Sequence, residues 1–516
     1  VRDLVVRRIV GAFAAATIGE WVLGTTVAIH AYPVGGALLV GLVGFRFVPA
    51  SVAGLFTAQF ADTHRRERVL TTAALTRAGA SALAAGSLAL GLPFAVPLLL
   101  VWIDAMAGSA YRPAQAALLP SVVRPPAELT SATAAASNAK SSSQLLGALA
   151  GGLLVANEPV ALAVAVATAL YLAAALATAG IKTPGRPRIV AKLATRGRLQ
   201  RMLAGAAALR HDREAKEIVA YAGLRALLRG LWISLGVVAA LRLLGLGQAG
   251  FGILMAAAAA GALVAIPISG LLVGRERMAP WLAAGLIMCG APIAAIGAIA
   301  AGVPAVALMV VWGIGMAISD AAGQALLFRV VPAVSIGSVT GFMESGKLLF
   351  EGSGSIVAPL LVATLGIRAA LIGTGVAVIA LVAAGIRSFE RIDVRAVGRV
   401  EILELLAGAH FFPHMRVDAL EGVVSQLAPV AAVAGTEVVA QGARDNARWY
   451  LIEEGELEVR IDGFLVNELG RGTASESSRS CVRRHARRAC APAPTSGSWR
   501  STEPPSCRRS PVPTLP

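Results

Sequence analysis

Charge is scarce in this chain: Asp, Glu, Lys and Arg make up 15% of 516 residues, against 56% hydrophobic residues. A water-soluble body of that length exposes more surface than so few charges cover, so a single soluble globule is excluded and a polytopic membrane protein fits. Aromatic residues are also few, at 5%. The apolar content is instead mostly Ala, Leu, Val and Gly, whose small side chains let helices approach closely in lipid. The four cysteines form no framework. Cys289 lies in an apolar run, and Cys481, Cys490 and Cys507 lie in a basic tail without a C-x-x-C pair or matching His, so neither a zinc site nor a disulfide scaffold is indicated. A nucleophile motif, a Walker loop and metal-ligand spacing are lacking too. No catalytic residue, metal or organic cofactor is therefore expected, and an enzyme is the least favoured class. No cleavable signal with a small-residue site precedes the first apolar run, which is expected to act as its own insertion signal.

What the chain has is apolar runs of about 20 residues, the length that crosses a hydrocarbon core. Twelve are expected: 9–32, 37–60, 69–90, 94–118, 132–156, 160–181, 218–241, 249–273, 280–301, 304–328, 339–365 and 369–386. The loops between them alternate in charge. One side carries Arg2, Arg7 and Arg8, the turn from Asp62 to Arg68, Arg124, the segment Lys182 to Lys216, Arg275 with Arg277, Arg329, and Arg387 onward. The other side has AYPVGG, GLP, NEP, LGLGQ, AGVP and LGIR, nearly free of Lys and Arg. Basic loops stay in the cytoplasm. The expected product is therefore an all-α, multi-pass protein of the bacterial plasma (inner) membrane with both termini cytoplasmic. Residues 1–181 and 218–391 form two six-helix halves, joined by a basic linker at 182–217. The net charge of +16 lies in loops and tail, which suits lipid headgroups, and no nucleic-acid partner is expected.

The loop between the second and third runs, GLFTAQFADTHRRERVL, places Gly54, Asp62, Arg65, Arg66 and Arg68 in a short turn. A Gly, an Asp and a basic cluster in that position resemble the signature loop of the major facilitator superfamily. The copy is degenerate, since Thr63, His64 and Arg65 follow the Asp where the family places Arg directly after it. A faint internal repeat accompanies it. Trp102, Asp104 and AQAALLPSVV lead to Lys140, and Trp312, Asp320 and GQALLFRVVP lead to Lys347. The segment YRPAQAALLPSVV looks most like the branch that includes siderophore and drug exporters. The resemblance implies two parallel six-span repeats around a central cavity, with Asp62 and the following arginines as a gating latch; plain topology marking is the rival reading of that loop.

Eight ionisable residues are placed inside the runs as candidate pathway or coupling groups: Glu20, Arg46, Asp104, Lys140, Asp320, Glu344, Lys347 and Glu351. Each costs roughly 2.5–3.5 kcal/mol at mid-membrane on insertion scales, so they are expected to face a wet cavity or one another. Glu344, Lys347 and Glu351 fall at i, i+3 and i+7 on one helical face, with Lys347 between two acids. Mutual neutralisation and a proton-carrying pathway face both remain open for them. Arg46 has two readings: pairing with Glu20 or Asp104 in a cavity, or snorkelling to the headgroups.

Beyond Arg391 the composition turns polar and period-two. Leu405 to Phe412, Gly435 to Gly442, and Tyr450 onward with Gly455 and Glu456 resemble the first part of a cyclic-nucleotide-binding domain, a partial β-roll over 392–472. The phosphate-binding cassette that this family carries next is absent. The tail Thr473 to Pro516, with its RRHARR, is expected to be a disordered, frameshifted end, and cyclic-nucleotide binding is expected to be lost. The function implied is secondary active transport, with proton-coupled efflux of a small molecule. A non-transporting membrane sensor is the alternative.

Overall fold

A computed structural model describes residues 4–54, 66–122, 126–181, 205–210, 212–271, 275, 277–331, 333–408, 427–430, 433–436, 438, 449–461, 464–471, 474–476 and 481–492. The chain divides into two units, Val1–Val400 and Glu401–Pro516. The boundary sits nine residues after the one expected from composition.

The first unit is helical. Its elements are α1 (Leu4–Gly44), α2 (Arg66–Ala89), α3 (Ala95–Val122), α4 (Pro126–Asn157) and α5 (Val160–Thr178), then α6 (Arg213–Val238) with a π-helical turn at Ala239–Leu243, α7 (Gly250–Leu271), α8 (Ala279–Ile299), α9 (Gly302–Val330), α10 (Ala333–Ala384) and α11 (Ile386–Gly408). Among the described residues, seven helical stretches are long and apolar enough to cross a membrane, and two of them are 50 residues long. Each of these two is broken by glycine. In α1 the break is at Gly35 and Gly36. The φ of +65° at Gly36 belongs to the left-handed region, where a side chain would clash. The limbs fold back, since the Arg46 guanidinium comes to rest against Gly24. In α10 the break is Gly366, at φ +77°.

Small residues set how closely the helices pack. A Cβ on Gly152 of α4 would stand 2.9 Å from Gly252 Cα of α7, so only two glycines allow these backbones to meet. Gly41 of α1 likewise faces Ser355 and Pro359 of α10, and Ser51 Oγ donates to the Ser345 carbonyl across the same seam at 3.0 Å. Lipid supplies no hydrophobic force between helices, so this packing and the few hydrogen bonds across it hold them together. These contacts join the helices of 4–178 to those of 213–384.

Residues Arg213 to Glu217, expected in the linker, are the first turn of α6. Asp212 is the reason: its carboxylate accepts the Ala215 N–H at 3.0 Å and caps the helix. α11 is tied to that end of the bundle. Arg395 holds Asp212 at 2.8 Å and Glu214 at 2.5 Å, Arg391 holds Glu217 at 3.1 Å, and Asp393 Oδ1 accepts the N–H groups of Met278 and Ala279 at the start of α8. Phe389, Ile392 and Ala396 are buried beneath it.

The second unit contains a five-stranded sheet in the order β1 (Leu427–Val430), β5 (Cys481–Pro492), β2 (Trp449–Ile461) and β3 (Phe464–Leu469), with β4 (Ala474–Glu476) also on β2. Ile452, Leu457 and Val459 make a small core. β5 takes in part of the segment after Thr473, and its register with β2 sets Glu454 opposite Arg488 and Glu458 opposite Arg483.

Candidate functional site

Three groups of ionisable side chains lie inside the helical unit. The first is centred on Arg77 of α2. Its Nε donates to Asp104 Oδ1 at 2.9 Å, and one terminal nitrogen donates to Asp104 Oδ2 at 3.3 Å, to the Tyr171 hydroxyl at 2.8 Å and to Glu20 Oε2 at 3.4 Å. Helices α1, α2, α3 and α5 thereby meet at one guanidinium. Gly108, one turn beyond Asp104, makes room for it, since a Cβ there would lie 3.3 Å from Arg77 Cζ. The planar fork of Arg suits this arrangement because it serves a carboxylate through two nitrogens at once.

The second group lies among α6, α9 and α10. Arg225 pairs with Asp320, Lys347 Nζ lies 3.5 Å from the same carboxylate, and Lys347 also donates to Glu344 at 2.6 Å. Gln324 reaches the other Asp320 oxygen at 3.5 Å. A crevice of about 10 Å³ touches Arg225, Asp320 and Lys347, too small to hold more than a single water.

The third group surrounds a cavity of about 50 Å³ between the two sets of helices, lined by Glu20, Trp21, Arg46, Phe47, Arg229, Phe251 and Glu351, among others. Arg229 Nε lies 3.2 Å from Glu351 Oε1, and its guanidinium stands 5.7 Å from the Trp21 ring centre. Arg46 lies 5.0 Å from the Phe47 ring centre. Glu20 belongs to both the first group and this one.

This geometry gives the ionisable residues different partners from those their spacing suggests. Glu344, Lys347 and Glu351 do not form one neutralising triad: Lys347 turns to Asp320 and Glu344, while Glu351 turns to Arg229. Lys347 keeps its same-helix partner Glu344 and also reaches Asp320 of α9, whereas Glu351 has the Arg229 guanidinium of α6 3.2 Å away. Asp104 and Glu20 find Arg77, and Arg46 pairs with neither of them among the described residues. Arg46 lines the cavity. Lys140 is exposed on α4. Of the loop residues, Gly54 ends a helical stretch, Arg66 opens α2, Arg68 is exposed, and Asp62 and Arg65 lie outside the described residues.

Arg77, Tyr171, Arg225 and Arg229 were missed by sequence reasoning. A signal existed for the arginines. Several acids inside apolar runs require cations nearby, and Arg225 with Arg229 stand one helical turn apart in a run that was counted as apolar.

Neither a protein-family model nor a curated protein matches the sequence. Solved structures do. A crystal structure of a mutant of the nucleoside transporter NupG superposes with a TM-score of 0.60 at 13% identity, covering 75% of this chain and 100% of that one. A bacterial homolog of the human lysosomal transporter Spinster, in an inward-facing and unoccupied conformation, gives 0.59 at 14% identity, covering 77% and 99%. A D-xylose-proton symporter gives 0.57 at 14%, covering 73% and 96%. At these identities the likeness is one of fold: the helical unit shares the fold of these solved transporters.

Proposed function

We propose that the chain is a secondary active transporter that works by alternating access and expels a small amphiphile in exchange for protons. One observation carries this reading: a cavity between two sets of helices is walled by Glu20, Arg46, Arg229 and Glu351. Charges at that depth are costly unless water or solute reaches them between moving parts. The basic-loop asymmetry supports twelve spans with both termini in the cytoplasm of an inner membrane. In this count α1 and α10 supply two spans each and α2 to α9 supply eight.

Glu20 stands at the junction that the mechanism needs. On one side its carboxylate reaches Arg77 at 3.4 Å; on the other it walls the cavity. Ionised Glu20 ties α1 to Arg77. A proton delivered through the cavity neutralises it, leaves Arg77 to Asp104 and Tyr171, and loosens α1 from α2. That change in contact shifts the populations of the two bundle arrangements. Asp62 with Arg65, Arg66 and Arg68 is the latch of the same movement. The C-terminal sheet is the remnant of a cyclic-nucleotide sensor that lacks its phosphate cassette and binds no cyclic nucleotide.

The test is reconstitution of the purified chain in liposomes loaded with a pH-sensitive dye, challenged with a panel of amphiphiles. Solute-dependent proton movement is expected. Glu20→Gln should insert normally and lose at least tenfold of that movement. Correctly inserted wild-type protein that moves no protons with any member of the panel would overturn the reading. Ligand-dependent change at the C-terminal unit without solute movement would favour a sensor instead.

A further inference from the structure

We propose that the central cavity is a site for the head of an amphiphilic aromatic monocarboxylate, with Arg46 as its principal contact. The inference names the substrate class of the transporter reading and rests on that reading for movement of the ligand, though not for its binding. Three arginines border this region and two are occupied. Arg77 serves Asp104, Glu20 and Tyr171, and Arg229 serves Glu351. Arg46 is the third. Among the described residues no carboxylate forms an ion pair with it, and its recorded neighbours are the Phe47 ring at 5.0 Å and Gly24.

The approach to Gly24 shows that the guanidinium is given a berth. A Cβ at that position would come within 2.6 Å of one terminal nitrogen, so any larger residue there displaces the charge. A guanidinium held in a membrane interior without a counter-charge is costly, and an incoming anion removes that cost. Its planar fork takes a carboxylate through two parallel hydrogen bonds. The rest of the wall is flat or aliphatic: Trp21, Phe47, Phe251, Val43, Ile233 and Leu348. That surface suits a ring beside the charged head. Glu351 and Glu20 on the same wall disfavour a second negative charge, which selects a monoanion over a dianion. The volume of about 50 Å³ admits the head group, and the ring enters as the two sets of helices part.

The experiment is calorimetric titration of the full chain in lipid nanodiscs with 1-naphthoate, 1-naphthalenemethanol and 1-naphthylmethylammonium, with empty nanodiscs as the blank. Naphthoate is expected to bind at least tenfold more tightly than the alcohol and the amine. Arg46→Gln should bring naphthoate down to the affinity of the alcohol, and Arg46→Lys should keep part of the preference. Gly24→Val, which leaves Arg46 in the sequence but takes its berth, should also lose it. Equal affinities in the wild type, no binding of naphthoate, or an undiminished preference in monodisperse Arg46→Gln or Gly24→Val would overturn the site. Liposome uptake separates the two claims. Selective binding without movement of naphthoate or of any panel amphiphile sustains the site and removes the transporter reading, whereas equal movement of acid and alcohol overturns the site and leaves transport standing.

Discussion

The Arg77 group and the Asp320 group are built from the same kinds of side chain and differ in what surrounds them. In the first, the side chains of Arg77 and Asp104 are 2% and 5% exposed, and one cation is gripped by three helices besides its own. In the second, Lys347 is 14%, Asp320 38% and Glu344 54% exposed, and two cations share two acids. A buried ion pair loses much when one partner goes, because the other is left without solvation. An exposed cluster passes the loss to its neighbours and to water. The difference predicts that substitutions in the first group, which shares Glu20 with the cavity, cost the fold more than substitutions in the second.

Substitutions can break that contrast, and the largest effect is expected from Arg77→Leu. It strands Asp104 and Glu20 in the interior and should cost about 3–5 kcal/mol, read as loss of folded protein in a thermal melt of the detergent-solubilised chain. Asp104→Asn keeps the shape and removes one charge. About 2 kcal/mol is expected, while Asp320→Asn in the same melt should lose less than half as much, since Glu344 remains beside Lys347. Equal losses for the two Asn variants would erase the distinction between the groups. Arg395→Ala unfastens α11 from Asp212 and Glu214 and should cost about 1 kcal/mol, a difference that shrinks in 1 M salt because these carboxylates lie at the rim. Lys347→Met comes last, at less than about 1 kcal/mol, because Arg225 still holds Asp320. A cost equal to that of Arg77→Leu would show the second group to be as closed as the first.

The apolar runs, the basic loops and the rarity of acids in lipid made the helical membrane fold and half of the candidate site legible in the sequence. Glu20, Asp104 and Asp320 stand out because nothing near them in the chain excuses their cost, and Glu351 stands out as the second acid beside Lys347. Their partners do not stand out. Arg77 sits in a Thr- and Ala-rich helix that looks mildly polar throughout, and Arg225 follows the REAKE stretch that resembles a linker. Which face of a helix meets which neighbour is a tertiary fact. The spacing of Glu344, Lys347 and Glu351 therefore suggested one triad where packing makes two separate contacts. The internal repeat misleads in a similar way. Asp104 lies near the first third of α3 and Asp320 near the second third of α9, so residues that correspond along the chain stand at different depths. The basic tail lacks any hydrophobic period, so its pairing with β2 is not legible in the sequence.

The bare backbone crossing at Gly152 and Gly252 has a mechanical consequence. At this point no Cβ stands between the two backbones, so there is no tooth to lift over a notch there. Prising them apart would forfeit every van der Waals contact along the line. If the two sets of helices rock, this crossing is the line about which they turn with least loss of contact.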